Sequence, residues 1–224
     1  MRKRTGRRTR SLRKQWIIVI IVLMILLLLG ILVSVTKRKG QTAKDIVERE
    51  NITYAKEPDL DIELLTPNEY SRPQEVLEKV KGIVIHYTAN PGTTAIQNRN
   101  YFEGLKDSHI TKASAHFIVG IEGEIVQCIP SSEISYASNE RNVDTVSIEC
   151  CHIDESGKFT EATYKSLIQL TAFLMGKFDL STDDVIRHYD VTGKNCPKFY
   201  VENEDAWIKF KEDINNFILK NGEK

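Results

Sequence analysis

The chain has 224 residues, of which 41% are hydrophobic, and its formal net charge is zero. This length allows one or two domains. Residues 1–44 hold 12 of the 31 Lys and Arg residues and none of the 31 Asp and Glu residues, so the remainder carries a net charge of −12 (19 basic, 31 acidic). Because phosphate contacts need clustered Lys and Arg, this acidic remainder excludes nucleic acid as an expected partner.

A basic head, residues 1–15, precedes an uncharged apolar stretch over residues 16–35. Twenty helical residues span about 30 Å, the thickness of the bilayer core, so the stretch predicts a transmembrane signal anchor. More basic residues precede it than follow it, which predicts a cytoplasmic N-terminus and an extracytoplasmic body. We therefore expect a single-pass protein of the cell membrane, with the lipid bilayer as one partner. A cleaved signal peptide is the alternative, although residues 33–35 match a cleavage site only weakly.

Residues 36–60 are polar and predict a juxtamembrane linker, and residues 61–222 predict one folded domain. Short apolar runs bounded by turn residues predict strands over residues 81–88, 114–120, 124–129, 144–151 and 185–187. Apolar residues at helical spacing predict helices over residues 94–105, 160–178 and 203–220. This alternation predicts an α/β domain with a mixed central sheet flanked by helices.

Three residues with metal-ligating side chains lie at the ends of predicted strands. His86 ends one strand, while His188 and Cys196 flank a loop that follows another. Zinc prefers such a mixture of imidazole nitrogen and thiolate, and a catalytic zinc site uses three protein ligands and one open position. A loop that folds back on itself would bring His188 and Cys196 to one point. The sequence therefore predicts a Zn²⁺ site formed by these three residues.

Two charged residues near these ligands have the chemistry of catalytic groups. Glu149 lies within an otherwise apolar strand, where an ionised carboxylate without a partner is very costly. Such a carboxylate near a metal-activated water can accept its proton and pass it to a leaving amine. Lys194 lies inside the ligand loop and is placed to stabilise an oxyanion.

Five ordered motifs resemble the zinc-dependent type 2 family of N-acetylmuramoyl-L-alanine amidases, which includes phage-lysozyme-like amidases and is related to the peptidoglycan recognition proteins. The resemblance covers about residues 60–218. The motifs are Ile-Val-Ile-His-Tyr-Thr-Ala at 83–89, Ala-Ser-Ala-His-Phe-Ile-Val at 113–119, Asn142 with Ser-Ile-Glu at 147–149, Gly-Lys-Phe-Thr at 157–160, and His188 through Lys194 to Cys196-Pro197.

The resemblance implies zinc ligands at His86, His188 and Cys196, an acid/base carboxylate at Glu149 and a lysine near the metal at Lys194. It also implies hydrolysis of the amide between N-acetylmuramic acid and L-alanine in peptidoglycan, by a catalytic domain expected to be monomeric. A non-catalytic peptidoglycan-recognition module and a zinc hydrolase of another amide are the alternatives. The cysteine ligand favours catalysis, because non-catalytic recognition relatives typically lack it.

The chain departs from the family pattern at two places. Some members carry a catalytic Tyr where Ala115 stands, which assigns the acid/base role to Glu149. Many carry Trp-His-Ala-Gly where residues 135–138 are Ser-Tyr-Ala-Ser, so substrate contacts there need not be shared. Tyr87 and His116 are the candidate residues of the substrate pocket, although His116 could equally orient a neighbour by a hydrogen bond.

The remaining cysteine and histidine residues carry no motif. A disulfide between Cys128 and Cys150 or Cys151 is compatible with a hairpin, but sequence alone does not establish one. His109 and His152 are expected at the surface.

Overall fold

A computed structural model describes Met24 and residues 55–222 of the chain. The strands are β1 (Asp61–Ile62), β2 (Gly82–Tyr87), β3 (Phe117–Val119), β4 (Ile125–Gln127), β5 (Thr145–Cys150) and β6 (Val185–Arg187). The α-helices are α1 (Ala95–Ser108), α2 (Glu161–Phe178), α3 (His188–Thr192), α4 (Lys198–Glu202) and α5 (Glu204–Asn221). Short 3₁₀-helices cover Asn139–Val143 and Thr182–Asp184.

The strands form one sheet in the order β1-β4-β3-β5-β2-β6. Strands β3 and β4 form the predicted antiparallel hairpin, and the other neighbouring pairs are parallel. The carboxyl ends of β5, β2 and β6 therefore lie at one edge of the sheet. In parallel α/β sheets this edge is where ligands commonly bind.

Helices cover both faces of the sheet. Ile83, Ile85 and Ile148 are fully buried on one face, where they pack in the same core as residues of α2 and α5. Residues of α1 and Ile118 of β3 belong to a second core on the other face. Since successive strand residues point to opposite faces, each strand contributes to both layers. The predicted mixed α/β sheet flanked by helices is confirmed.

The predicted helices are present, with boundaries set by polar caps. Thr94 and Gln97 form a capping box at the start of α1. The Thr160 hydroxyl accepts a hydrogen bond from the Thr163 backbone N–H at the start of α2. Such caps satisfy backbone N–H groups that have no partner within the helix. Helix α1 extends to Ser108, three residues beyond the predicted end.

The predicted localisation in a cell membrane requires correction. Among Met24 and residues 55–222, no helix has both the length and the apolar composition needed to cross a bilayer. Helices α2 and α5 reach 18 residues, but both carry charged side chains, and a spanning helix needs about 20 predominantly apolar residues. Most of the N-terminal segment lies outside the described residues. This applies to the basic head, to most of the linker and, apart from Met24, to the predicted signal anchor over residues 16–35.

Residues just before the predicted domain boundary already contact the folded core. Ala55 is 5% exposed and packs in the same core as α2 and α5. The following β1 adds a parallel edge strand beside β4. The boundary between residues 60 and 61 stays a prediction.

An ionic contact attaches this entry segment to α1. The Glu103 carboxylate accepts hydrogen bonds from the Thr66 backbone and hydroxyl, at 3.0 and 2.7 Å. It also pairs with Lys106 at 3.0 Å and Arg99 at 3.4 Å. Burial raises the pKa of Glu103, but these contacts outweigh it and lower the pKa to about 2.

We expect Glu103→Gln to reduce the free energy of unfolding at pH 7 by about 1 kcal/mol or less, because solvent screens ionic contacts at the protein surface, where these side chains are partly exposed. The carboxylate titrates near pH 4.3 when unfolded and near 2 when folded. Its stabilisation is therefore complete above about pH 5 and is lost as pH falls to about 2. Urea unfolding at pH 7, 5 and 3 should show the variant and wild type converging. If the free energy of unfolding had the same pH dependence in Glu103→Gln and wild type, the predicted role of Glu103 would be wrong. Glu122→Gln, at an exposed position, is the control and should follow the wild type.

Candidate metal centre

Three predicted ligands meet at the carboxyl edge of the sheet. One ligand atom from each of His86, His188 and Cys196 lies within 4.8 Å of the other two, and all three residues are buried. The His86 Nδ1 atom lies 3.8 Å from the Cys196 Sγ atom, and the two imidazole centroids are 4.7 Å apart. This arrangement of two nitrogens and one sulfur could hold a metal ion.

Strand register places His86 and Glu149 side by side. In the parallel pair of β2 and β5, His86 is directly opposite Glu149. The alternating residues Ile83 and Ile85 point into the core with α2 and α5, so His86 points to the opposite face of the sheet. The hydrophobic burial that orients β2 therefore also orients the ligand.

The return loop that brings Cys196 beside His188 was predicted from the sequence and is present. Helix α3 begins at His188 and ends at Thr192, and Gly193 follows it with a φ of 77°, which suits glycine and reverses the chain. The Tyr189 N–H then donates to the Cys196 carbonyl at 2.9 Å. This hydrogen bond closes the loop and fixes the thiol next to α3.

Burial keeps both imidazoles of the centre in the form that binds metals. Burial lowers the pKa of His86 well below its usual value, and the positive charges of His188 and Lys194 lower it further. The pKa of His188 is also lowered, chiefly by burial and then by Lys194. A metal ligand must be neutral imidazole, so these environments favour coordination over protonation.

The acidic groups of the centre are also strongly affected by burial. Burial raises the pKa of the Cys196 thiol to about 12, with the Glu149 charge adding to the rise. Burial raises the pKa of Glu149 to about 8, and Lys194 acts against it. A divalent cation would supply the positive charge that the thiolate form needs.

Glu149 has one carboxylate oxygen free for a further interaction. Its Oε2 atom is buried and has no hydrogen-bond partner among the described residues. Lys194 is exposed, and its charge acts on Glu149 and on all three candidate ligands. Glu149 lies beside the candidate ligand His86 in the strand pair, and the catalytic roles of Glu149 and Lys194 stay predictions.

The two predicted pocket residues have different positions. His116 is fully buried; its Nε2 donates to the Glu133 carbonyl at 2.8 Å, and its Nδ1 accepts from the Ser147 N–H at 3.0 Å. Both ring nitrogens are thus used inside the protein, which matches the orienting alternative and not pocket lining. The half-buried Tyr87 ring lies 5.1 Å from the His152 ring.

The structure also shows the positions of the cysteine and histidine residues that belong to no motif. All four cysteines are free and buried, so none of the disulfides compatible with the sequence is present. His109 is exposed, as expected. His152 is 1% exposed, which corrects its expected surface position. It lies just beyond β5, where its Nδ1 donates to the Asp154 carbonyl at 2.8 Å.

Sequence reasoning missed the side chains that support the ligands. Ser138 lies 3.2 Å from His86 Nε2, and Asn139 Oδ1 lies 3.0 Å from His188 Nε2. Both belong to a polar loop about 50 residues from either histidine, and nothing in their spacing indicates the contact. Arg187 was assigned only to a strand, although its position next to His188 was a usable signal.

Arg187 connects the ligand-bearing helix to the two helices that follow. Its side chain is 8% exposed and donates to Asp190 at 2.9 Å, to Glu204 at 2.6 Å and to the Tyr200 carbonyl at 3.0 Å. Its guanidinium also lies 5.3 Å from the Trp207 ring centroid. One side chain therefore holds α3, α4 and α5 together directly beside His188.

Comparison with known proteins shows the family to which this domain belongs. A family model described as N-acetylmuramoyl-L-alanine amidase, Amidase_2, matches residues 77–199. The chain belongs to this family. The family resemblance noted in the sequence is thereby confirmed.

Two curated relatives come from Bacillus. The chain is 34% identical over 164 residues to N-acetylmuramoyl-L-alanine amidase CwlL of Bacillus licheniformis, covering 67% of this chain and 45% of the relative. It is 33% identical over 168 residues to the amidase BlyA of Bacillus subtilis strain 168, covering 66% and 44%. The chain thus spans a little under half the length of the curated relatives it matches. Their names describe amidases and give no support to the predicted membrane localisation, which stands corrected.

Solved structures share the fold. The catalytic domain of XlyA superposes with a TM-score of 0.60 at 23% identity, covering 70% of this chain and 99% of that one. PlyL gives a TM-score of 0.60 at 22% identity, covering 70% and 97%. These similarities establish a common architecture for the described domain.

We expect Arg187→Leu to lower the free energy of unfolding by about 2 kcal/mol, chiefly because the buried Tyr200 carbonyl loses its donor. The exposed carboxylates of Asp190 and Glu204 contribute less. Arg187→Lys keeps the charge but loses the forked geometry, so its loss should be intermediate. Urea unfolding midpoints test this ranking. Lys81→Ala is the control, because its 3.4 Å pair with Asp144 is 60% exposed on the lysine side. Ordinary surface substitutions change the free energy of unfolding by about 0.5 kcal/mol. Losses no larger than this for all three variants would contradict the anchoring role of Arg187.

Proposed function

We propose that the chain is a zinc-dependent N-acetylmuramoyl-L-alanine amidase that hydrolyses the amide between N-acetylmuramic acid and L-alanine in peptidoglycan. The observation that carries the proposal is the convergence of His86, His188 and Cys196 beside Glu149 in a domain of this family. Amidase names among the relatives support the choice of reaction.

The donor set fits zinc in number, type and spacing. Zinc takes nitrogen and thiolate ligands, and catalytic sites use three protein ligands with a fourth position open. In a tetrahedral centre with normal bond lengths, ligand atoms lie about 3.3–3.6 Å apart, close to the 3.8 Å between His86 Nδ1 and Cys196 Sγ. The His188 Nδ1 atom is buried without a hydrogen-bond partner among the described residues, as expected for a metal-facing nitrogen.

A bound zinc ion would supply Lewis-acid chemistry, lowering the pKa of a water molecule and polarising the substrate carbonyl. Glu149 then serves as the acid/base group, because its buried Oε2 atom has no hydrogen-bond partner among the described residues. A bound cation would lower the raised pKa of its carboxyl group, so that the carboxylate can accept a proton. It takes the proton of the attacking water and delivers it to the leaving amine of L-alanine. The Lys194 ammonium stabilises the negative charge that develops on the carbonyl oxygen.

Peptidoglycan is the proposed substrate and partner, and the catalytic domain is proposed to act as a monomer. Incubating the purified protein with purified peptidoglycan tests the reaction. We expect release of stem peptides with free L-alanine amino termini while the glycan strands stay intact, with release abolished by a zinc chelator and restored by zinc. Mass spectrometry of the soluble products measures this.

The other outcomes separate the alternative functions. If the protein binds both zinc and peptidoglycan but releases no peptides, the amidase proposal would be wrong and the domain would be a recognition module. New amino termini other than L-alanine would indicate hydrolysis of a different amide. Release that continues unchanged after complete metal removal would exclude the zinc mechanism.

The acid/base assignment predicts a separation between metal binding and catalysis. We expect Glu149→Gln to lower the rate of peptide release by about 10²- to 10⁴-fold, the usual contribution of a general acid/base, while zinc content stays at one ion per chain. Cys196→Ser should lose both zinc and activity. Exposed Glu161→Gln is the matched control and should behave as wild type. Activity within threefold of wild type in Glu149→Gln would contradict the assignment.

A further inference from the structure

Two consecutive side chains contact the two histidine ligands on the side away from the centre. The Ser138 hydroxyl lies 3.2 Å from His86 Nε2, and Asn139 Oδ1 lies 3.0 Å from His188 Nε2. The histidines lie on different elements, at the end of β2 and the start of α3. We infer that Ser138 and Asn139 are positioning residues that select which ring nitrogen of each histidine faces the metal; this inference rests on the proposed zinc site.

The hydrogen bond of Asn139 determines the tautomer of His188. An amide oxygen only accepts hydrogen bonds, so His188 Nε2 must carry the proton and Nδ1 keeps a lone pair. That Nδ1 atom is the buried one with no hydrogen-bond partner in the described part of the chain. Histidine ligands commonly donate their second N–H to such a partner, which fixes the ring orientation and raises ligand basicity.

The Ser138 hydroxyl can either accept or donate a hydrogen bond, and the inference assigns it as the acceptor of the His86 Nε2–H. When His86 Nε2–H donates to the hydroxyl, the lone pair lies on Nδ1, the atom 3.8 Å from the Cys196 sulfur. Ser138 is 1% exposed, whereas Asn139 is exposed. Water can replace the Asn139 amide but has little access to His86 Nε2, so loss of the hydroxyl should be the more costly change.

The loop that carries the pair is held in place by its own polar contacts. Asn142 Oδ1 accepts from the backbone N–H groups of Ala137, at 3.0 Å, and Ser138, at 2.6 Å. Asn139 has a left-handed backbone with φ of 53°, a conformation that asparagine tolerates better than most residues. The acceptors are therefore set by the fold and do not depend on a bound ligand for their position.

Zinc affinity, measured by competition with a chelator, tests the inference without reference to activity. We expect Ser138→Ala to weaken zinc binding by 30- to 100-fold and Asn139→Gly by about 10-fold, the range for loss of such outer contacts. Glycine accepts the left-handed backbone, so Asn139→Gly removes only the acceptor. Asn139→Asp restores an acceptor and should bind zinc within threefold of wild type.

Two control variants separate positioning from general damage. Ser131→Ala removes a buried hydroxyl that contacts Lys177, and Gln74→Gly replaces another residue with positive φ, at 59°. Both should bind zinc as wild type does. Nitrogen NMR of the metal-free protein adds a second readout: wild type should show the Nε2–H tautomer of His188, and Asn139→Gly a mixture of tautomers.

The outcomes distinguish this inference from the proposed function. Wild-type protein that binds zinc tightly, with Ser138→Ala and Asn139→Gly within twofold of it, would overturn the positioning role and leave the amidase proposal intact. Wild-type protein that binds no zinc would overturn both. Weakened binding with rescue by Asn139→Asp and no change in the controls supports the inference.

Discussion

The in-register pairing of β2 and β5 is the constraint on which the candidate centre depends. It places His86 directly opposite Glu149, while Ile83, Ile85 and Ile148 are fully buried on the other side of the sheet. A slip of one residue in either strand would turn its polar side chain to the opposite face and expose its apolar set. The hydrophobic core therefore specifies the register, and the register brings a ligand and a carboxylate together.

The rest of the centre depends on short-range polar structure. Helix α3 begins directly after β6, and the turn at Gly193 returns the chain so that Cys196 lies beside His188. Arg187 holds this unit against α4 and α5. Burial then lowers the pKa of both histidines and raises that of the cysteine, so the site disfavours charge of its own and favours a bound cation.

The sequence predicted the mixed α/β fold and most of its elements, because these depend on local patterns, and it identified three residues that the fold brings together. Apolar runs bounded by turn residues identified the strands, and apolar residues at helical spacing identified the longer helices. The three candidate ligands could be proposed because two histidines and a cysteine end or follow predicted strands within motifs that resemble those of a zinc amidase family. The burial of His116 and His152 could not be predicted from the sequence. It depends on how the loops pack, as do their hydrogen bonds to Glu133 and Asp154.

The contacts of Ser138 and Asn139 with the histidines could not be predicted from the sequence, for a physical reason. Ser138 and Asn139 contact histidines about 50 residues away on either side, and such contacts exist only after β2, β6 and the intervening loop have packed. Serine and asparagine are also ordinary loop residues, so their types carry no signal. A ligand must be one of a few residue types, whereas any acceptor at the correct position can orient it. Candidate ligands can thus be proposed from the sequence, whereas their orientation is a property of the fold.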